Sequence, residues 1–319
     1  MNLQNFAQLC MTPAPLGNEH ATINLIRQTV PEGFAIRTDP AGSIIVQKPG
    51  QKPGLMIFAS LSEPTILITG KRADGSWKGK LLGTGEKLEA LDGWEISDGR
   101  GAYAKIHVKD GELYFAEEKN ITVGSTLTQR PVWNQDGEKI FCKGIGDRAG
   151  CWLLMELLHH IPEIDREITC VFLAQERLNP RVAELAANET EAAVAIRIGC
   201  APVNNRDMTG VAVKFGQGPA IKLRERYAST DGRLLEFLRE LCCERKIPHQ
   251  YELAELSITG LYTAQYGGCG VVISGIDIPE DKGCILLSDL EYTENLMQEL
   301  IKNADKLSGV LSSLPAVRS

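Results

Sequence analysis

Lys143 to His160 read KGIGDRAGCWLLMELLHH, a glycine-rich turn opening into a helix. Trp152, Leu153, Leu157 and Ile161 recur at helical spacing, which predicts a helix over 147–161 with one buried face. His159 and His160 fall at its carboxyl end, where positive charge is favourable. A turn of this kind can cradle a phosphate, carry a metal ligand, or simply let a helix approach a strand. The dinucleotide fingerprint is excluded by spacing. GIGDRAG places its last glycine one residue too late, and the next strand ends in Gln175-Glu176, nearly thirty residues after Gly146. A phosphate loop of the G-K-[ST] type is absent.

Around this turn, apolar runs and helical patterns alternate. Downstream come a strand EITCVFLAQ (Glu167–Gln175), a helix over 182–188 and a strand AAVAIRI (Ala192–Ile198). A hairpin-like VAVKFGQGPAIKL (Val211–Leu223), a helix over 231–246, a strand GVVISGI and a closing helix over 293–314 follow. Upstream, an amphipathic segment Glu19–Val30 precedes the strand-like runs FAIRTD, SIIVQK and GLMIFAS. Such alternation predicts an α/β fold, a mixed, mainly parallel sheet sandwiched by helices. In such folds, sites gather beyond the carboxyl ends of the strands. Residues 70–140 differ, with short alternating runs, many Gly, Lys and Asp residues, and a hairpin signal at Asp110–Gly111. They read as an inserted all-β, barrel-like unit. The α/β domain is then discontinuous, 1–69 and 141–319.

The formal charge of -7 and the lack of a basic cluster argue against nucleic acid. No apolar run approaches the ~20 residues of a membrane span. The beginning, MNLQNFAQLCMTPAP, has neither a basic head nor an apolar core. With nine scattered cysteines and no C-x-x-C pair, a cytoplasmic protein with reduced thiols is expected.

Several short stretches, in order, resemble the glutamyl or deblocking aminopeptidases, metallopeptidases that often form tetrahedral dodecamers. These are APLGNEH (Ala14–His20), VGSTLT (Val123–Thr128), GDRAG (Gly146–Gly150), QER (Gln175–Arg177), GQGP (Gly216–Pro219) and IPHQ (Ile247–Gln250). The resemblance covers nearly the whole chain. It implies a zinc-aminopeptidase-like fold, two Zn or Co ions on five ligands, a glutamate general base, and a β-rich insert that mediates oligomer contacts.

Carried over position by position, the implied ligands are missing. The first histidine falls on Ser60, and the aspartate that supports it on Ser62. The bridging aspartate falls on Gly146, beside Asp147. The general base is Glu176, and the glutamate ligand after it is Arg177. The remaining positions are Gly199, Gly260 and, for the second histidine, Leu287. Gly and Leu offer no side-chain donor, Ser ligates weakly, and Arg is a permanent cation. None of the five histidines lies near these positions; Cys142, Cys200 and Cys284 do, without a close-spaced pair. Arg177 is expected to pair with Glu176 or Asp147.

The reading is a homologue with no metal and no cofactor, in which Glu176 is vestigial. Asp147, Arg177, Ser60, Gly146, Gly199, Gly260 and Leu287 would line a pocket for a peptide, a small molecule or a partner subunit. Self-association through residues 70–140 is expected. The alternative is an active metallo-aminopeptidase with an unusual metal site.

Overall fold

The computed structural model describes residues 2–83, 87–99, 101, 103–116, 120–203, 211–267 and 271–307. A mixed sheet forms its centre. Its principal strands are β1 (Ala35–Thr38), β2 (Ile44–Lys48), β3 (Gln51–Ser60), β4 (Arg166–Leu173), β5 (Ala192–Pro202), β6 (Ala220–Glu225), β7 (Gln250–Ala254) and β8 (Val272–Glu280). Their spatial order is β1-β2-β4-β3-β5-β8-β6, with β7 paired to β6. The four central strands β4, β3, β5 and β8 run parallel.

A parallel strand covered on both faces reads as a continuous apolar run. LMIFA in β3 is such a run, and its side chains alternate between layers. Leu55, Ile57 and Ala59 join one buried cluster, while Met56 and Phe58 join the other. On the first face lie α1 (Leu3–Met11), α2 (His20–Thr29), α3 (Ile145–Leu158), α5 (Gly232–Arg245) and α7 (Leu287–Lys302). On the second lie α4 (Val182–Thr190) and the short α6 (Gly260–Ala264).

The opening stretch forms the pivot. Gly144 takes a left-handed φ of 69° and turns the chain into α3. Within α3, a Cβ on Gly150 would meet the Ile198 carbonyl oxygen at 2.7 Å and Ala59 Cβ at 3.0 Å. The missing side chain therefore lets α3 lie close against β3 and β5. Trp152 is fully buried, stacks on Phe6 and donates its indole N–H to the Asn2 carbonyl.

A second, seven-stranded sheet lies between Thr65 and Gln129, with its own apolar centre of Ile66, Trp77, Leu113, Phe115 and Leu127. Asp110 and Gly111 both take left-handed φ between the strands at 107–109 and 112–115, as the hairpin signal requires. The strands begin before residue 70 because Ile66 and Ile68 belong to this apolar centre. They end before 140 because the hairpin 133–142 turns away. It joins Cys284–Leu286 and buries Ile140 in the main cluster.

Three sequence expectations shift. α1 is a separate helix absent from the expected elements, although Phe6, Leu9 and Cys10 give it a buried face. The Val211–Leu223 hairpin does not form: only Ala220–Glu225 is a strand, pairing with β7 and β8. The preceding loop is held instead by Asp289, whose carboxylate accepts the N–H groups of Gly216 and Gly218 at 2.8 Å each. The last helix starts at Leu287 rather than 293, and the part expected beyond 307 lies outside the described residues. No helix among the described residues is long and apolar enough to cross a membrane.

Candidate functional site

The carboxyl ends of β3, β4, β5 and β8 converge beside the start of α3, where an α/β sheet places its chemistry. Gln175, just past β4, takes a left-handed φ of 57°. Its backbone N–H donates to Ser62 Oγ at 2.7 Å, and its side chain holds the Ala41 carbonyl. This fixed turn presents Glu176 and Arg177 in succession. A non-glycine residue in that region costs about 1–3 kcal/mol and persists where the surroundings enforce it.

Arg177 lies across the first turn of α3. Its Nη2 and Nε donate to Asp147 Oδ2 at 2.7 and 2.9 Å, and its Nη1 reaches the Gly83 carbonyl. Burial works against the guanidinium charge, but Asp147 outweighs it and raises the Arg177 pKa. Glu176 is 5% exposed. Its Oε1 accepts the Gly260 N–H at 2.7 Å and faces Arg197 Nε at 3.4 Å. A Cβ on Gly260 would come within 2.9 Å of that oxygen and 2.7 Å of Ala183 Cβ. The glycine is what lets the backbone approach the carboxylate.

Arg197 is a residue that the sequence motifs do not point to. It lies on β5 with its side chain 11% exposed, and its Nη1 is 3.5 Å from Asp277 Oδ1 on β8. A Cβ on Gly199 would sit 2.0 Å from Arg197 Nη1 and 2.7 Å from Asp277 Oδ1. The guanidinium thus occupies the space that a side chain at 199 would need. Lys222 from β6 completes the cluster, 2.8 Å from Asp277 Oδ2 and 3.4 Å from Glu252 Oε2. Burial and then Asp277 push the Glu252 carboxyl up to about 8. Burial also works against the charge on Asp277, yet Lys222 and Arg197 hold its carboxyl below the usual range. Arg197 was detectable in the sequence, because a charge inside a strand sandwiched by helices must have a partner, whereas Lys222 falls in a segment that reads as a hairpin.

The remaining predicted positions divide. Ser60 and Ser62 are buried at the end of β3, with Ser62 Oγ donating to Glu19 Oε1 at 2.8 Å. Gly146 borders a cavity of about 460 Å³ that also touches Trp94, Gln129, Lys143, Arg177 and Lys282. A smaller cavity of about 230 Å³ opens onto Arg197, Lys222 and Glu252. Leu287 lines neither. It packs against the main apolar cluster, and its N–H donates to the Glu138 carbonyl. It joins the core because strand Cys284–Leu286, immediately before it, is clamped to the hairpin.

A pair of divalent ions does not fit these donors. Asp147 and Glu176 each already face an arginine, and the space over Gly199 holds a guanidinium. Among the described residues, no three His, Cys, Asp or Glu side chains are grouped to hold a metal. Cys142 and Cys284 are buried and Cys200 is half-buried.

Comparison with known proteins gives a consistent picture. A sequence profile described as M42 glutamyl aminopeptidase matches residues 105–283. The fold is similar to the aminopeptidase APDkam598 of the archaeon Desulfurococcus kamchatkensis, with a TM-score of 0.86 and 21% identity over 99% of this chain and 98% of that one. It is also similar to a TET aminopeptidase of a marine sediment Thaumarchaeota archaeon, with a TM-score of 0.88 and 19% identity over 96% and 98%. A third similar structure is the TET1 peptidase of Pyrococcus horikoshii, described as assembling into a tetrahedron or a large octahedral shell. Its TM-score is 0.83, with 17% identity over 94% and 98%.

Proposed function

The chain belongs to the M42 glutamyl aminopeptidase family, and we propose that it is a metal-free, non-catalytic member that binds a peptide or small molecule. The pairing of both remaining acids with arginines carries this reading: Asp147 with Arg177, Glu176 with Arg197. Peptide hydrolysis in a metal site needs a water made nucleophilic by the ions. A glutamate engaged by an arginine and a backbone N–H is a poor general base for an unactivated water. The 460 Å³ cavity beside Arg177 is the proposed ligand site. The described cysteines are free thiols, which supports a reducing, cytoplasmic setting.

Family membership itself favours a second reading, an active aminopeptidase with an unusual metal site. Metal content separates the two. The protein is purified without chelator or affinity tag and analysed by mass spectrometry for zinc, cobalt, manganese and iron, before and after excess zinc and cobalt. Well under one ion per chain in both samples is expected, with no release of aminoacyl products. One or two tightly held ions, with hydrolysis, would establish the second reading.

Self-association through residues 70–140 is the proposed assembly. It rests on the family resemblance and on the shells described for the Pyrococcus horikoshii relative. Light scattering at micromolar concentration is expected to give a dimer or a larger particle. A monomer mass would remove the proposal.

A further inference from the structure

We infer that Arg197 is a tethered cation standing in the place of a divalent ion, and that removing it opens a divalent-cation site between Glu176 and Asp277. The inference rests on the metal-free reading above and adds what keeps the ions out.

Three observations meet at this point. The guanidinium faces two acids from different elements, Glu176 in the turn after β4 at 3.4 Å and Asp277 on β8 at 3.5 Å. Both are buried, Asp277 completely. Two cations hold Asp277, with Lys222 Nζ 2.8 Å from Oδ2 and Arg197 Nη1 3.5 Å from Oδ1. Finally, the guanidinium lies where a side chain from Gly199 would project. A fixed positive charge in that space repels a second cation and occupies its volume.

The arrangement is self-consistent. Two buried carboxylates without a cation would repel each other, and one would take up a proton. Arg197 neutralises them with no exchangeable ligand, because its charge persists at any ordinary pH. On β6, across β8 from Arg197, Lys222 lies between Asp277 and Glu252. Loss of Arg197 vacates the space between Glu176 and Asp277 Oδ1, while Lys222 stays on the other oxygen, Asp277 Oδ2, at 2.8 Å. Carboxylate oxygens are suitable donors for zinc or cobalt.

The test compares the natural sequence with Arg197→Met by titration calorimetry, using cobalt(II) chloride and then zinc chloride as probes. Arg239→Met, which removes a surface arginine, serves as the control. The natural sequence and the control are expected to bind cobalt weakly or not at all. Arg197→Met is expected to bind at least tenfold more tightly. Its melting temperature should rise on adding cobalt, while that of the natural sequence stays fixed. If Arg197→Met is too unstable to titrate, Arg197→Gln replaces it, because glutamine keeps a hydrogen-bond donor for Glu176 without the charge.

A folded Arg197→Met or Arg197→Gln chain that binds cobalt no better than the natural sequence overturns the inference and leaves the metal-free reading intact. Tight cobalt binding by the natural sequence overturns both.

Discussion

A chain carrying Asp277→Asn unfolds about 3 kcal/mol more easily than the natural sequence at about pH 6, and the gap narrows toward about pH 9. Asp277 is fully buried and is the shared partner of Lys222 and Arg197. Removing its charge leaves two buried cations short of an anion, which is why the loss is large. The pH dependence comes from Glu252. In the folded chain this carboxyl keeps its proton up to about 8, against an ordinary value of 4.5. The stability supplied by that proton is complete below the ordinary value and is lost as the pH rises through about 8. Without the charge on Asp277, Glu252 can ionise and serve Lys222, which is already 3.4 Å away. The variant therefore loses less than the natural sequence as the pH rises. Urea unfolding at the two pH values measures both gaps. Equal gaps would show that Glu252 does not respond to Asp277.

Arg148→Met is expected to cost about 3–5 kcal/mol, the usual range when one member of a buried pair is removed. Arg148 sits in the opening turn of α3 with its side chain 1% exposed. It is 3.2 Å from Glu63 Oε1 and donates to the carbonyls of Leu61 at 3.2 Å and Thr12 at 2.8 Å. It thereby ties α3 to the loop after β3 and to the end of α1. Methionine fills much of the volume but takes the cation from the buried Glu63 carboxylate, which keeps the Ala14 N–H on Oε1, and a donor from the Leu61 and Thr12 carbonyls. Adding Glu63→Gln should recover some of the loss, because the stranded charge is gone. Guanidinium unfolding of the natural sequence, the two single variants and the double variant gives the coupling. Additive effects would mean that the pair contributes nothing beyond its separate contacts.

Much of the architecture is legible in the sequence because the signals are local. The strands FAIRTD, SIIVQK and LMIFAS, the helix after GDRAG and the hairpin at Asp110–Gly111 each announce themselves within a short window. The Val211–Leu223 loop reads as a hairpin because its organising contact is Asp289, far along the chain and invisible to any local pattern. α1 carries as clear an amphipathic face as α2, with Phe6, Leu9 and Cys10 buried, so it too is legible, although it is absent from the expected elements.

The site is half legible. Motif order locates Asp147, Glu176, Arg177 and Gly199. It cannot supply Arg197 or Lys222, which lie at no motif position. For Arg197 the signal is of another kind: AAVAIRIGCA places a cation in a strand that the apolar pattern buries, while Lys222 falls in the segment that reads as a hairpin.

The close approach of Arg197 to Gly199 also constrains this chain's history and its future. An acid introduced at 199 alone would collide with the guanidinium, while loss of Arg197 alone would strand two carboxylates. On the proposed reading, a return to a metal centre costs stability at either first step, because the guanidinium must be displaced or two carboxylates lose their shared cation. Such mutual dependence acts as a ratchet. Once arginine and glycine occupy this pair of positions, selection for stability alone preserves them, whether or not the pocket is still in use.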